Sequence, residues 1–228
     1  SYFMKIKEVK SHIIQYDLKE ELGYSQQYYQ KRTGHLVEVV TDEGITGWGE
    51  CFGPGNVAIA NKVIVERVIQ PMILEENPLN RDVLWHKVYN LLRDHGQKGM
   101  PIQALSGVDI ALWDILGKVT GLSISRLIGG RFREQVPVYG YGMMLRREKL
   151  PALMDRFEDE AAAIKSSGFV ATKMKVGLGP KQDVQLAESV RRGVGGDFPF
   201  MVDANHCYTV DQALYVCLLY TSDAADDP

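Results

Sequence analysis

The stretch "FVATKMKVG" (169–177) decides how the second half of the chain is interpreted. Its apolar residues are typical of a buried strand, yet it carries Lys173 and Lys175 two residues apart. Because side chains alternate along a strand, both lysines lie on the same face. Two amines on one face indicate either a solvated strand edge or a site that needs positive charge.

A second strand, "FPFMVDAN" (198–205), ends in a similar way, with Asp203 and Asn205 on one face. An earlier strand, "VPVYGYG" (136–142), precedes the lysine strand, and helical patterns follow each of the three. β-α units that repeat about every 30 residues are typical of an eight-fold barrel of about 250 residues. A doubly wound sheet has the same local pattern and is the alternative, although no GxGxxG motif follows these strands.

The first 130 residues have a different pattern, with strands before helices. Strands are predicted at 3–16 and 35–42, and the polar stretch between them is predicted to be a loop. Helical patterns follow at 58–73, 80–92 and 102–122. The last has Gly121 as its stop signal and five apolar residues at helical spacing: Ala104, Val108, Ala111, Leu112 and Ile115. This order predicts an α+β domain over residues 1–130.

The predicted fold class is therefore α/β, with an α+β N-terminal domain followed by the first three β-α units of a barrel over residues 131–216. Five more units would need about 150 further residues, so we expect a truncated barrel. The end, "CLLYTSDAADDP" (217–228), breaks the amphipathic pattern before it and is predicted to be a non-native tail. We expect a chain of this kind to be inactive and poorly soluble.

Composition excludes several classes of partner. A net charge of −3 predicts no binding to nucleic acid or to an anionic membrane surface. No apolar run approaches the roughly 18 residues needed to span a bilayer. Three widely separated cysteines without metal-ligand spacing predict reduced thiols and a cytoplasmic location.

The polar ends of the two strands suit the removal of a proton next to a carboxylate. That proton is weakly acidic, so the enolate must be stabilised as it forms, which carboxylate-held Mg²⁺ can do. A lysine becomes a neutral base when burial and a neighbouring cation disfavour its protonated form, and Lys173 and Lys175 are such neighbours.

Simpler explanations exist for each residue taken alone. Lys173 and Lys175 could be a solvated edge pair, and Asp203 and Asn205 could cap the next helix or shape its loop. His206 could be an ordinary loop histidine. The tyrosines Tyr24 and Tyr29 could be surface aromatics.

Four stretches resemble the mandelate racemase/muconate lactonizing enzyme family of the enolase superfamily: "TDEGITGWGE", "ALSGVDIALWDILGKVTGLSISRLIGG", "TKMKVG" and "MVDANHCYT". They occur in family order and spacing across nearly all of residues 4 to 215. The resemblance implies an N-terminal capping domain and a modified (β/α)7β barrel. It also implies a small carboxylate substrate and a homo-oligomer at full length.

The resemblance assigns roles to the strand-end residues. Lys175 would be the acid/base catalyst, assisted by Lys173, and Asp203 would be the first of three Mg²⁺ ligands. Asn205 would lie near the substrate carboxylate. Further substrate contacts would come from His206 and from two loops that cover the site, around 23–29, which carries Tyr24 and Tyr29, and around 52–56.

Within the family, "LLRDHGQKG", "GGRFRE" and "DANHCYTV" are most similar to galactarolactone cycloisomerases, which open sugar-acid lactones. Acid-sugar dehydratases are the main alternative, and racemases or epimerases come next. A non-catalytic binding protein on a shortened barrel and a doubly wound nucleotide-binding protein are the alternatives from other classes.

Overall fold

The computed structural model describes residues 4–222, which form two compact units. The first unit contains the chain up to Leu18 together with Lys31–Glu134, and the second contains Lys19–Gln30 together with the chain from Gln135 onward. The second unit therefore also includes a short segment of the N-terminal half, and the domain boundary at residue 130 stays a prediction.

The first unit combines a sheet of strand order β1-β2-β3 with a set of helices. The strands are β1 (Ile6–Tyr24), β2 (Gln27–Thr41) and β3 (Thr46–Cys51), and the helices are α1 (Val57–Val63), a π-helical segment (Ile64–Ile69), α2 (Gln70–Ile73), α3 (Arg81–Leu92), α4 (Met100–Thr120) and α5 (Ile124–Leu127).

The prediction of a loop between the first two strands was wrong. Strands β1 and β2 continue to a turn at Ser25 and Gln26, so residues 19–34 form the outer part of a long hairpin. Alternation reveals a strand only where one face is buried and the other is solvated. This part of the hairpin has intermediate and exposed side chains on both faces, so the sequence carries no period of two.

Strand β3 packs directly onto the backbone of α4, which explains the glycines of "TGWGE". A Cβ added at Gly49 would lie 1.9 Å from the carbonyl oxygen of Gly107, and one added at Gly47 would lie 2.1 Å from that of Ala111. Both distances are far below van der Waals contact. Glycine is therefore required at these two positions by close approach rather than by backbone angles.

The buried face of α4 was predicted correctly. The five residues at helical spacing are all buried in the core of the first unit: Ala104, Val108, Ala111, Leu112 and Ile115. The helix ends at Gly121, which has a left-handed φ of 67°, as its predicted role as a stop signal requires.

Helix-borne side chains cover the free edge of β1. The backbone N–H of Val9 donates to Gln70 Oε1 at 2.7 Å, and that of Ser11 donates to Glu66 Oε1 at 3.0 Å. An edge strand otherwise presents unpaired amides to other chains. The π-helical segment and its junction with α2 therefore protect this edge.

The second unit is a parallel sheet of strand order β4-β5-β6 with helices between the strands. Its elements are β4 (Gly140–Tyr141), α6 (Leu150–Ser166), β5 (Thr172–Lys175), α7 (Pro180–Val194), β6 (Phe200–Asp203) and α8 (Val210–Ser222). This is the predicted β-α alternation. Strand β4 is shorter than predicted, because Val136 and Val138 are exposed and unpaired with the sheet.

The predicted tail falls partly outside the described residues. Residues 217–222 continue α8, and residues 223–228 are not described. In the part of the chain that the structure covers, no helix is both long and apolar enough to cross a membrane.

Replacing Gly49 by alanine should destabilise the first unit by about 2–3 kcal/mol, because the new methyl group overlaps the α4 backbone. Gly34→Ala is the matched control, since its Cβ would meet only Ile14 at 4.0 Å. Urea unfolding of both variants measures the difference. Equal stability of the two variants would contradict the close packing of β3 on α4.

The buried His35 should make the first unit less stable in mild acid. Burial, with a contribution from the charge of Lys62, lowers the pKa of His35 below its ordinary value of 6.5. Below about pH 6.5, the unfolded chain therefore binds a proton at His35 more readily than the folded chain does. The free energy of unfolding is highest above about pH 6.5 and falls as the pH drops below it. Unfolding free energies between pH 7 and 5 should fall less steeply for His35→Gln. An equally steep fall in His35→Gln would contradict this role of His35.

Candidate functional site

The strand-end residues meet at the carboxyl edge of the parallel sheet. Lys173 pairs in register with Tyr141 on one side and Met201 on the other, and Lys175 pairs with Asp203. Parallel strands that are in register bring their side chains into adjacent rows. The predicted convergence of amines and carboxylate is therefore observed.

Asp203 is shared by the two lysines. Its Oδ2 atom lies 2.7 Å from Lys175 Nζ and 3.0 Å from Lys173 Nζ. Lys175 Nζ also donates to Asn205 Oδ1 at 2.6 Å. The Asn205 backbone N–H donates to Asp203 Oδ1 at 3.1 Å, so the carboxylate organises the turn that follows it.

The orientation of the lysines follows from what lies on the other face of β5. Thr172 and Met174 are fully buried, and Met174 packs in the core formed with α6 and α7. Alternation then directs Lys173 and Lys175 to the opposite face. Lys175 is itself buried, whereas Lys173 is partly exposed.

The two lysines set the charge of Asp203. Burial alone would raise the pKa of this carboxyl group, but hydrogen bonds from Lys175 and Lys173 outweigh burial and lower its pKa to about 2. In return, the hydrogen bond to Asp203 raises the pKa of Lys173. The site therefore holds a fixed carboxylate next to a fixed ammonium at neutral pH.

Three tyrosine rings surround the amines, and two of them, Tyr139 and Tyr141, were not among the predicted site residues. Tyr141 has its ring centroid 5.5 Å from Lys173 Nζ and 5.7 Å from Lys175 Nζ. Tyr139 lies 6.0 Å from Lys173 Nζ, and Tyr24 lies 5.9 Å from Lys175 Nζ. The sequence did carry a signal for them, because Tyr139 and Tyr141 lie two residues apart at the end of the predicted strand 136–142.

The tip of the β1–β2 hairpin belongs to the same unit as the lysines. Gly23 and Leu145 exchange backbone hydrogen bonds of 2.8 and 2.9 Å. Two ion pairs reinforce this bridge, Glu20 with Arg146 at 3.2 Å and Glu21 with Arg147 at 2.7 Å. These contacts hold Tyr24 against the lysines. The Tyr29 ring lies 6.5 Å from that of Tyr24.

His206 is not brought into the cluster. It is exposed, has a left-handed φ of 62°, and takes no part in the contacts that join the two lysines, Asp203 and Asn205. Residues 52–56 belong to the first unit, so their predicted role as a cover of the site stays a prediction.

Asp203 does not form a metal site with the other described residues. Across residues 4–222, no group of three or more His, Cys, Asp or Glu side chains could hold an ion together. The oxygens of Asp203 and Asn205 are of the kind that Mg²⁺ prefers, but Mg²⁺ takes about six oxygen ligands in octahedral geometry. The described residues alone therefore do not fit the predicted Mg²⁺ ion.

Comparison with known families decides the assignment. The family model described as the mandelate racemase/muconate lactonizing enzyme N-terminal domain matches residues 16–129, and the enolase C-terminal domain-like model matches residues 156–222. The chain belongs to the mandelate racemase/muconate lactonizing enzyme family.

Two of the curated relatives are named for reactions of sugar acids or their lactones. A D-galactarolactone cycloisomerase of Agrobacterium fabrum is 39% identical over 92% of this chain and 54% of its own length. An arabinonate dehydratase of Saccharolobus solfataricus is 34% identical over 78% of this chain and 46% of its own length. The chain thus spans about half the length of these curated relatives.

A solved structure supports the fold. The 3,6-anhydro-D-galactonate cycloisomerase of Zobellia galactanivorans aligns with a TM-score of 0.80 at 32% identity, covering 96% of this chain and 56% of that one. The chain of 228 residues therefore has the mixed α/β architecture of the enolase superfamily, with its N-terminal domain.

Removing the shared carboxylate should destabilise the second unit. Asp203→Asn removes the charged acceptor that Lys173 and the buried Lys175 share, at a cost of about 2 kcal/mol or more. The exposed Asp159→Asn on α6 should change stability by less than about 0.5 kcal/mol. Chemical denaturation followed by a probe in the second unit measures both. Equal stabilities would show that the lysines do not depend on Asp203.

Proposed function

We propose that the protein abstracts the proton α to the carboxylate of a sugar acid or its lactone, with Lys175 as the base. One observation carries the proposal: a buried lysine, a neighbouring lysine ammonium and an ionised carboxylate meet at the carboxyl edge of a parallel sheet. In barrel enzymes, this edge is where catalytic groups collect.

The geometry supports separate roles for the two lysines. Lys175 is buried, and its Nζ is anchored by Asp203 and Asn205, so its position is fixed before a substrate arrives. Lys173 is more exposed and supplies a positive charge beside it. That charge favours the negative charge which develops on the substrate carboxylate as the α-proton leaves.

The reaction that we favour is the opening of a lactone. In its neutral form, the Lys175 amine takes the α-proton and becomes an ammonium, and the electrons of the C–H bond move towards the carboxylate to form an enolate. When these electrons return, a Cα–Cβ double bond forms and the bond between Cβ and the ring oxygen breaks, so that the former lactone oxygen leaves as part of a new carboxylate. Galactarolactone cycloisomerase-like β-elimination is favoured because such an enzyme is a relative that matches 92% of this chain.

Dehydration and racemisation begin with the same proton removal. A relative is an arabinonate dehydratase, and another is an N-succinyl-L-Arg/Lys racemase of Bacillus cereus. A dehydratase would expel a free β-hydroxyl group, and a racemase would return a proton to the opposite face. We keep both reactions as alternatives, because the named relatives include a cycloisomerase, a dehydratase and a racemase.

Mg²⁺ and self-association belong to the proposal for a protein of the relatives' length. When bound, Mg²⁺ would neutralise charge on the substrate carboxylate, with Asp203 as one of its ligands. Further carboxylates would have to come from outside residues 4–222, since the described residues lack them. A homo-oligomer is expected from the resemblance alone.

Exchange of the α-proton with deuterated water tests the base directly. In protein of the relatives' length supplied with Mg²⁺ and a panel of sugar acids and lactones, Lys175→Ala should reduce exchange by about a thousandfold or more. Lys181→Ala, which changes an exposed lysine of α7, should leave the exchange rate unchanged. NMR of the substrate measures the rate. Exchange that survives Lys175→Ala would remove this residue as the base.

A further inference from the structure

A carboxyl group in α7, outside the cluster described above, connects the two loops that extend the site strands. Asp183 is fully buried. Its Oδ1 accepts hydrogen bonds from the backbone N–H groups of Gly177 at 2.8 Å and Leu178 at 3.0 Å. Its Oδ2 accepts from the backbone N–H of Gly179 at 3.1 Å and from the Tyr208 hydroxyl at 2.6 Å. Four donors from outside the helix therefore converge on one side chain.

The four donors come from both site loops. Gly177, Leu178 and Gly179 follow Lys175 at the end of β5, and Tyr208 follows the turn after β6. A carboxyl group that only capped its own helix would bond to a single loop. Here the Asp183 carboxyl group joins the segment after β5 to the segment after β6.

The turn that Tyr208 anchors has two left-handed residues in succession. Asn205 and His206 have φ values of 45° and 62°, which are uncommon for residues with a Cβ but more accessible to Asn and His than to most others. The Cys207 backbone N–H donates to the Ala204 carbonyl at 3.1 Å and closes the turn. The bond from Tyr208 to Asp183 fixes its far end.

The hairpin tip fixes the near end of the same turn. The Ser25 hydroxyl donates to the carbonyl oxygens of Ala204 at 2.8 Å and Asn205 at 3.2 Å. Ser25 also packs closely on Gly177, where an added Cβ would lie 2.1 Å from the serine Cβ. The turn is thus held at both ends, and Asn205 is the residue between them that reaches Lys175.

We propose that Asp183 is a positioning residue of the site: through Tyr208 it sets the turn that brings the Asn205 amide to the Lys175 amine. Asp183 contacts neither amine, so it acts through Tyr208 and Asn205. The inference rests on the proposed function for its catalytic meaning. Its geometric content can be tested without any turnover.

The test uses the 228-residue chain and two chemical reporters read by mass spectrometry. Alkylation of Cys207 reports opening of the turn, because the thiol is partly buried within it. Acylation of Lys175 reports loss of its anchors, and Lys181 is the exposed reference amine. Hydrogen exchange of the α6 peptide around Leu153–Ala161 reports unfolding of the whole unit.

Tyr208→Phe and Asp183→Asn are the decisive variants, with Tyr215→Phe and Asp159→Asn as matched controls at exposed positions. Tyr208→Phe removes one hydroxyl, and Asp183→Asn places an NH₂ group where N–H groups need an acceptor. We expect Cys207 alkylation and Lys175 acylation to rise together by about fivefold, the equivalent of one ordinary hydrogen bond. The α6 exchange and both controls should stay unchanged.

Two results would overturn the proposal. If Cys207 reacts faster while Lys175 does not, Asp183 supports the loop without positioning the site. If neither reporter changes in Tyr208→Phe, the link between the loops is absent. If Asp183→Asn also raises the hydrogen exchange of α6, that variant has destabilised the whole unit, and the reporters in Tyr208→Phe alone decide the proposal. Failure of the proposed function would instead appear as absent α-proton exchange with both reporters behaving as expected.

Discussion

The ion pairs from Lys173 and Lys175 to Asp203 are the constraint on which the second unit's chemistry depends. A buried lysine is costly unless a carboxylate or another acceptor compensates its charge. Asp203 supplies that compensation from the adjacent strand, at 2.7 Å, and Asn205 supplies a second acceptor. The register between β5 and β6 is therefore tied to the charge balance of the site.

Several weaker interactions keep that arrangement in place. The hairpin tip is bound through Gly23 and Leu145 and through two arginine–glutamate pairs, which are partly screened by solvent. The buried carboxyl of Asp183 joins the loops that follow the two strands. The amines are thus fixed by neighbours on several sides, as a preorganised proton-transfer site requires.

The elements with strong periodicity were predictable from sequence, and so was the convergence of the strand ends. The five core positions of α4 and the β-α alternation after residue 135 follow from spacing alone. The part of the hairpin over residues 19–34 could not be predicted from spacing, because neither of its faces is uniformly buried. Alternation also could not show that Tyr141 lies between two amines, since the stagger of β4 against β5 is set by pairing.

The role of Asp183 was out of reach for a different reason. In the sequence it is one charged residue on an amphipathic helix, and nothing nearby indicates that it is fully buried. Its partners lie up to 25 residues away, on loops whose conformation depends on glycines and on left-handed residues. Local patterns predict which face a residue occupies, but they do not predict which loops a buried carboxyl will join.

Zero-length cross-linking with a carbodiimide tests the central contact most directly, because it joins a carboxylate and an amine only when they touch. We predict an amide bond between Asp203 and Lys173 or Lys175, identified by mass spectrometry of the digested chain. The pair Lys118–Asp114, 2.7 Å apart in α4, is the internal positive control. A digest in which the control pair is linked, while Asp203 is unlinked or joined to other lysines, would contradict the account.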